Sequence, residues 1–171
     1  MRRPAPSLRG RALQWLAQRE HSRQELRDKL LWWLRSGAPD PNAEPGAQRD
    51  TAADAQAVES LLDELQAAGH LSQPRFVESR IHARAGRFGN RRIEQELRRL
   101  GAEPDAQARE ALQASEPERA REVWLRKFGQ PPATLAERAR QMRFLAGRGF
   151  SADTIRRVLG GEAEADTLAA D

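Results

Sequence analysis

The chain has 171 residues, enough for one domain or a row of small modules, with 32% charged residues, a net charge of +4 and an isoelectric point near 10.7. It has no cysteine, which excludes disulfides, thiolate zinc sites and thiol nucleophiles. No stretch nears the roughly 20 apolar residues of a membrane span, no apolar run of signal-peptide length follows the basic MRRPAPSLRG, and a cytoplasmic location is expected.

The positive balance points mildly to an acidic partner such as nucleic acid, although arginine outnumbers lysine 27 to 2 and a codon bias accounts for the excess equally well. Val, Ile and Thr together number 11 and Tyr is absent, so the residues that build strands are scarce. The fold class expected is all-α, about nine helices with no sheet.

The first helix starts at Ser7 and carries Leu8, Ala12, Leu13 and Leu16, with Trp15 beside them. Ser22-Arg-Gln-Glu25 is a capping box for the second, whose Leu26, Leu30, Trp33 and Leu34 fall on one face before Gly37. APDPNAEPGAQRDT (38–51) has three prolines and no large apolar residue, and reads as a loop or flexible insertion. Val58, Leu61, Leu62 and Leu65 mark the third helix, which Gly69 ends. Ser72 caps a fourth with Pro74 in its first turn, burying Phe76, Val77 and Ile81, with Ala83 as a further candidate.

GRFGNRRIEQELRRLG (86–101) holds the fifth helix, closed by Gly101. A sixth runs from Asp105 to Ala114 with Ala108, Ala111 and Leu112. Ser115-Glu-Pro-Glu118 reads as a capping box that starts a seventh, with Ala120, Val123, Trp124 and Phe128. Thr134-Leu-Ala-Glu137 caps an eighth with Leu135, Met142 and Leu145, and Ser151 opens a ninth with Ile155, Val158 and Leu159. Three segments align without gaps: HSRQELRDKL (21–30), FGNRRIEQEL (88–97) and FSADTIRRVL (150–159). Each has a small cap residue (Ser22, Gly89, Ser151) followed by apolar residues four and eight later, as in a row of helical triplets. The boundaries expected are 1–71 with its insertion 38–51, 72–114, 115–160, and an acidic, fraying tail at 161–171.

On a wheel centred on Ile93, Leu97 lies at about 40° and Leu100 at about 340°. At roughly 100° per residue, Arg91 and Arg98 lie near 150° and Arg92 and Arg99 near 250°, so two arginine rows face outward, the members of each row seven residues apart. Glu94 can pair with Arg98, and Glu96 with Arg92 and Arg99. Residues 75–100 hold eight arginines against three acids, residues 119–148 eight bases against two, and residues 35–66 seven acids against two bases. That segregation points to an acidic protein surface or a phosphate backbone, and Arg80, Arg84, Arg87, Arg91, Arg92, Arg98 and Arg99 are the candidate contacts.

Trp15 and Trp124 read as core. Trp32 and Trp33 point about 100° apart and cannot both face one core. His21, His70 and His82 read as surface or cap residues, with no HExxH and no carboxylate at ligand spacing. No phosphate-binding GxxxxGK or GxGxxG occurs. No catalytic, metal or cofactor-binding residue is expected.

REHSRQELRDKL, GHLSQPRFVES, GRFGNRRIEQELRRLG and RFLAGRGFSADTIRRVL, in that order and with an acidic Pro-rich insertion after the second helix, resemble the RecX family of bacterial recombination regulators. The resemblance spans residues 11 to 160. It implies three tandem three-helix repeats in a curved, elongated molecule. It also implies binding along the groove of the RecA recombinase filament, with modulation of its ATPase, strand-exchange and coprotease activities in recombination, DNA repair and the SOS response. The partners it implies are the RecA filament and, through basic surface, single- and double-stranded DNA, with the chain a monomer and no cofactor. Ser72 and Gln73 stand where the family usually has acids; Ser72 keeps the capping chemistry. A helical DNA-binding protein of the transcription-regulator type, acting without the recombinase, is the alternative, and a pure scaffold a third.

Overall fold

The computed structural model describes residues 6–36 and 50–160. Among them are eight helices and no strand: α1 (Leu8–Leu16), α2 (Arg23–Arg35), α3 (Thr51–Ala67), α4 (Gln73–Ala85), α5 (Asn90–Arg99), α6 (Ala106–Lys127), α7 (Leu135–Gly147) and α8 (Ala152–Gly160). The protein is all-α. Most of the Pro-rich insertion and the acidic tail lie outside the described residues; Asp50 at the insertion's end caps α3, its carboxylate accepting the Ala52 amide at 2.9 Å.

Two compact units divide the described residues, with the split inside α4. The first reaches Phe76 and includes Leu100–Ala102. Ser7 and Ser22 cap α1 and α2, their hydroxyls accepting the amides of Gly10 at 3.1 Å and Glu25 at 3.0 Å. Ala12, Leu26, Leu30, Val58, Leu61, Leu62 and Leu65 then meet in one core. Glu25 of the box also receives the Arg19 guanidinium on both oxygens. Acids of α3 are engaged locally as well: Glu59 accepts from Arg23 at 2.7 Å and Arg27 at 2.5 Å, which holds its carboxyl below the usual range, and Asp63 faces Arg23 at 2.8 Å.

His21 corrects the expectation of a surface histidine, being 1% exposed. Its Nδ1 lies 2.9 Å from the Arg19 carbonyl and its Nε2 3.1 Å from Lys29 Nζ. Lysine is only a donor, so the ring is neutral, with Nε2 accepting and Nδ1 donating. Burial, the largest influence, pushes the imidazole pKa down, and burial also lowers that of Lys29. His70 and His82 are exposed as expected. Trp32 is exposed and Trp33 half-buried, which divides the pair as helical geometry requires.

The second unit holds Val77–Arg99 and the described residues from Glu103 onward. Ala120, Val123, Trp124, Leu145, Phe150, Ile155 and Leu159 form its core. The predicted sixth and seventh helices are one helix, α6, which runs through Pro117. Proline removes the amide that would bond Gln113 O, and side chains engage the two carbonyls just before that one. Ser115, expected as a cap, turns its hydroxyl back to donate to Ala111 O at 2.8 Å, and Arg119 donates to Leu112 O at 3.1 Å. On α7, Thr134 caps as expected, but Leu135 and Met142 are exposed and Gln141 is buried. Trp124 draws that face inward by donating its indole N–H to Gln141 Oε1 at 2.7 Å. Ala83 is also exposed, and Ile81 only half-buried.

Candidate interaction groove

Ile93 and Leu97 are buried, and Arg91, Arg92, Arg98 and Arg99 are exposed, as the 3.6-residue period of α5 demands. These four arginines, with Glu94 and Glu96, line an open groove of about 910 Å³ against Ala146 and Gly147 at the end of α7 and Gly149 just beyond it. Arg92 stacks on the Phe88 ring at 4.4 Å and donates to Gly147 O at 3.4 Å. Among the described residues Arg91, Arg98 and Arg99 make no ion pair.

Glu96 pairs differently from the expectation. It accepts from Arg84 at 3.0 Å and faces Arg80 at 3.4 Å, both on α4, and not Arg92 or Arg99 of its own helix. Arg80 and Arg84 are therefore engaged inside the unit, and the acid best placed to answer the α5 arginines is spent on them. The α5 rows keep an excess of positive charge facing solvent.

Arg87 belongs to a second hollow of about 200 Å³, with Arg126, Lys127 and Arg148 around Phe144. Arg148 stacks on Phe144 at 4.6 Å and donates to Arg87 O at 3.2 Å. Arg126, Lys127 and Arg148 were not among the candidate contacts; the signal that finds them is the excess of base over acid in residues 119–148. Tyrosine-free, cysteine-free and arginine-rich, both hollows can bind anionic groups by charge and by cation–π stacking. No group of three metal-ligating side chains occurs among the described residues.

The groove's two walls meet at a pair of turns, Arg87–Asn90 and Arg148–Ser151. Gly89 N donates to Arg148 O at 3.0 Å and Arg91 N to Gly149 O at 3.2 Å. Glu116, 4% exposed, spans both helix starts: its carboxylate accepts from Asn90 N at 2.8 Å, Thr154 Oγ1 at 2.9 Å and Ser151 N at 3.4 Å. Burial alone raises its pKa, but the bonds from Ser151, Asn90 and Thr154 outweigh it and the net direction is down.

The regulatory protein RecX of Leptothrix cholodnii is 50% identical to this chain over 159 residues, 92% of this chain and 90% of the relative. The chain belongs to the RecX family. A RecX regulatory protein of Ralstonia pickettii is 43% identical over 92% of this chain and 89% of its own length. The family model for the third three-helix domain of RecX matches residues 115–159, which covers the second half of α6 with α7 and α8. The crystal structure of RecX from Lactobacillus salivarius has a TM-score of 0.63 at 18% identity, covering 94% of this chain and 95% of that one, so the RecX fold is shared where little sequence is. No helix among the described residues is long and apolar enough to cross a membrane.

Proposed function

We propose that this chain is a non-enzymatic, cytoplasmic regulator that binds the RecA recombinase–DNA filament as a monomer. There it modulates ATP hydrolysis, strand exchange and coprotease activity in recombination, repair and the SOS response. The observation that carries this reading is 50% identity over 92% of the chain to a protein named as the regulatory protein RecX. The exposed arginines of α5 support it, since four cations with few internal partners suit an acidic protein surface or DNA phosphate. Three three-helix modules, 1–71, 72–114 and 115–160, the last two sharing the single helix α6, would give such a regulator several places to hold. A chain that spans parts of the filament opposes the rearrangements that hydrolysis and strand exchange require.

The test is DNA-dependent ATP hydrolysis by the recombinase, titrated with this protein. A saturable change in rate is expected, weakened when Arg91, Arg92, Arg98 and Arg99 are replaced by Gln. No effect at saturating concentration sinks the proposal. Retention of duplex DNA in a sequence-specific manner without recombinase would favour instead a DNA-binding protein that acts alone.

A further inference from the structure

We infer that Glu116 is a positioning residue for the arginine helix: one buried carboxylate fixes the starts of α5 and α8 together and so presets the groove. The inference rests on the proposed filament binding through α5.

The first turn of α5 carries Arg91 and Arg92, and the amides of Asn90 and Arg91 that open it are held from elsewhere in the unit. Glu116 takes the Asn90 amide at 2.8 Å, and Gly149 O takes the Arg91 amide at 3.2 Å. Arg119, on the next turn of α6, donates to Asn90 Oδ1 and to Phe88 O at 2.8 Å and Ala85 O at 3.3 Å, which ties the end of α4 to the start of α5. The other side of the same carboxylate receives Thr154 and Ser151 at the start of α8. A negative charge at two helix N-termini is favourable to both. The hydrogen bonds keep the group ionised despite its burial.

Two consequences follow for binding. Helix N-termini commonly capture anions through free amides, but here the first two amides of α5, those of Asn90 and Arg91, are already taken by Glu116 and Gly149. An anionic partner therefore meets the arginine side chains first. Those side chains, in turn, stand on a helix whose position against the Gly147–Gly149 wall is set before the partner arrives, so ordering the wall costs nothing on binding. Glu116 is buried and touches no partner; it acts only through α5.

The experiment is a double-mutant cycle on the full chain, reading the concentration that half-changes recombinase ATP hydrolysis. E116Q keeps the side chain's size but turns one accepting oxygen into a donor facing amides and a hydroxyl. It is expected to raise that concentration about tenfold, roughly 1.4 kcal/mol, while R91Q/R92Q raises it further and E116Q adds little on top. A merely structural residue shows no such coupling. If E116Q does not fold, Thr154→Val, which removes only the 2.9 Å bond, takes its place with a smaller effect of the same sign. Folded E116Q with an unchanged half-effect concentration overturns the inference, as does an effect that persists undiminished in the R91Q/R92Q background. A wild-type chain that leaves hydrolysis unaltered, or R91Q/R92Q equal to wild type, overturns the underlying reading of α5 as well.

Discussion

Two glycines three residues apart, Gly86 and Gly89, face opposite fates on replacement by alanine. A Cβ on Gly86 meets nothing within 4 Å. A Cβ on Gly89 meets Phe150 N at 2.3 Å and the carbonyl carbon and oxygen of Gly149 at 2.4 Å. Those atoms are backbone, so no rotamer change relieves the clash and the two turns must part. Parting them endangers the bonds from Gly89 N to Arg148 O and from Arg91 N to Gly149 O, about 0.5–1.5 kcal/mol each. With overpacking at roughly 1–3 kcal/mol, Gly89→Ala should cost about 3 kcal/mol. At ~2–4 °C per kcal/mol for a chain of this size, its Tm falls about 6–12 °C. Gly86→Ala stays neutral or gains up to about 1 kcal/mol from a less flexible unfolded chain. Thermal melts followed by circular dichroism, run on both variants, decide the matter. Superimposable melts would refute the close backbone approach and with it the preset groove.

The neutral, buried His21 should make the fold acid-sensitive. Its folded pKa lies below the unfolded one, so its contribution is full above about 6.5 and is lost as pH falls through the folded value. Urea unfolding at pH 7.5 and 5.5 should show a smaller loss for His21→Phe, the residue type that the aligned positions 88 and 150 carry; an equal loss would count against the neutral ring. Glu96→Gln should cost about 1 kcal/mol in stability, as partly exposed ion pairs do, while tightening binding to a polyanion such as heparin by releasing Arg80 and Arg84. Weaker binding would show that Glu96 orders the groove instead. Trp124→Phe leaves Gln141 Oε1 without its indole donor in a buried site and should lower stability by about 1–3 kcal/mol. Adding Gln141→Met should recover part of that in the urea midpoint, and no recovery would argue against the hydrogen bond.

Local chemistry made the helix starts legible. Ser7, Ser22, Ser72, Thr134 and Ser151 act within three residues of themselves, and each accepts the amide its position calls for. Periodicity likewise placed Ile93 and Leu97 inward and the α5 arginines outward. What escaped depends on partners far along the chain. Glu116 looked like part of a capping box, yet its donors stand 26 to 38 residues away. Gly89 aligned with Ser22 and Ser151 as a small cap residue, whereas its size is demanded by a neighbouring turn some 60 residues on. Glu96 has arginines on its own helix in reach, and only the packing of α4 beside it shows that Arg84 and Arg80 take it first. Gln141 is buried because an indole N–H needs an acceptor, a requirement with no period to betray it.

Whether the chain recognises a recombinase–DNA filament through a basic surface is decided by co-sedimentation across a salt series. With bare single-stranded DNA as the control, charge contacts to phosphate alone lose affinity steeply with salt. The protein should pellet with filaments at salt concentrations where it has left bare DNA, and replacing Arg91, Arg92, Arg98 and Arg99 by Gln should lower its share of the pellet. Equal partitioning between filament and bare DNA at every salt concentration, or no pelleting with filaments at all, would contradict that recognition.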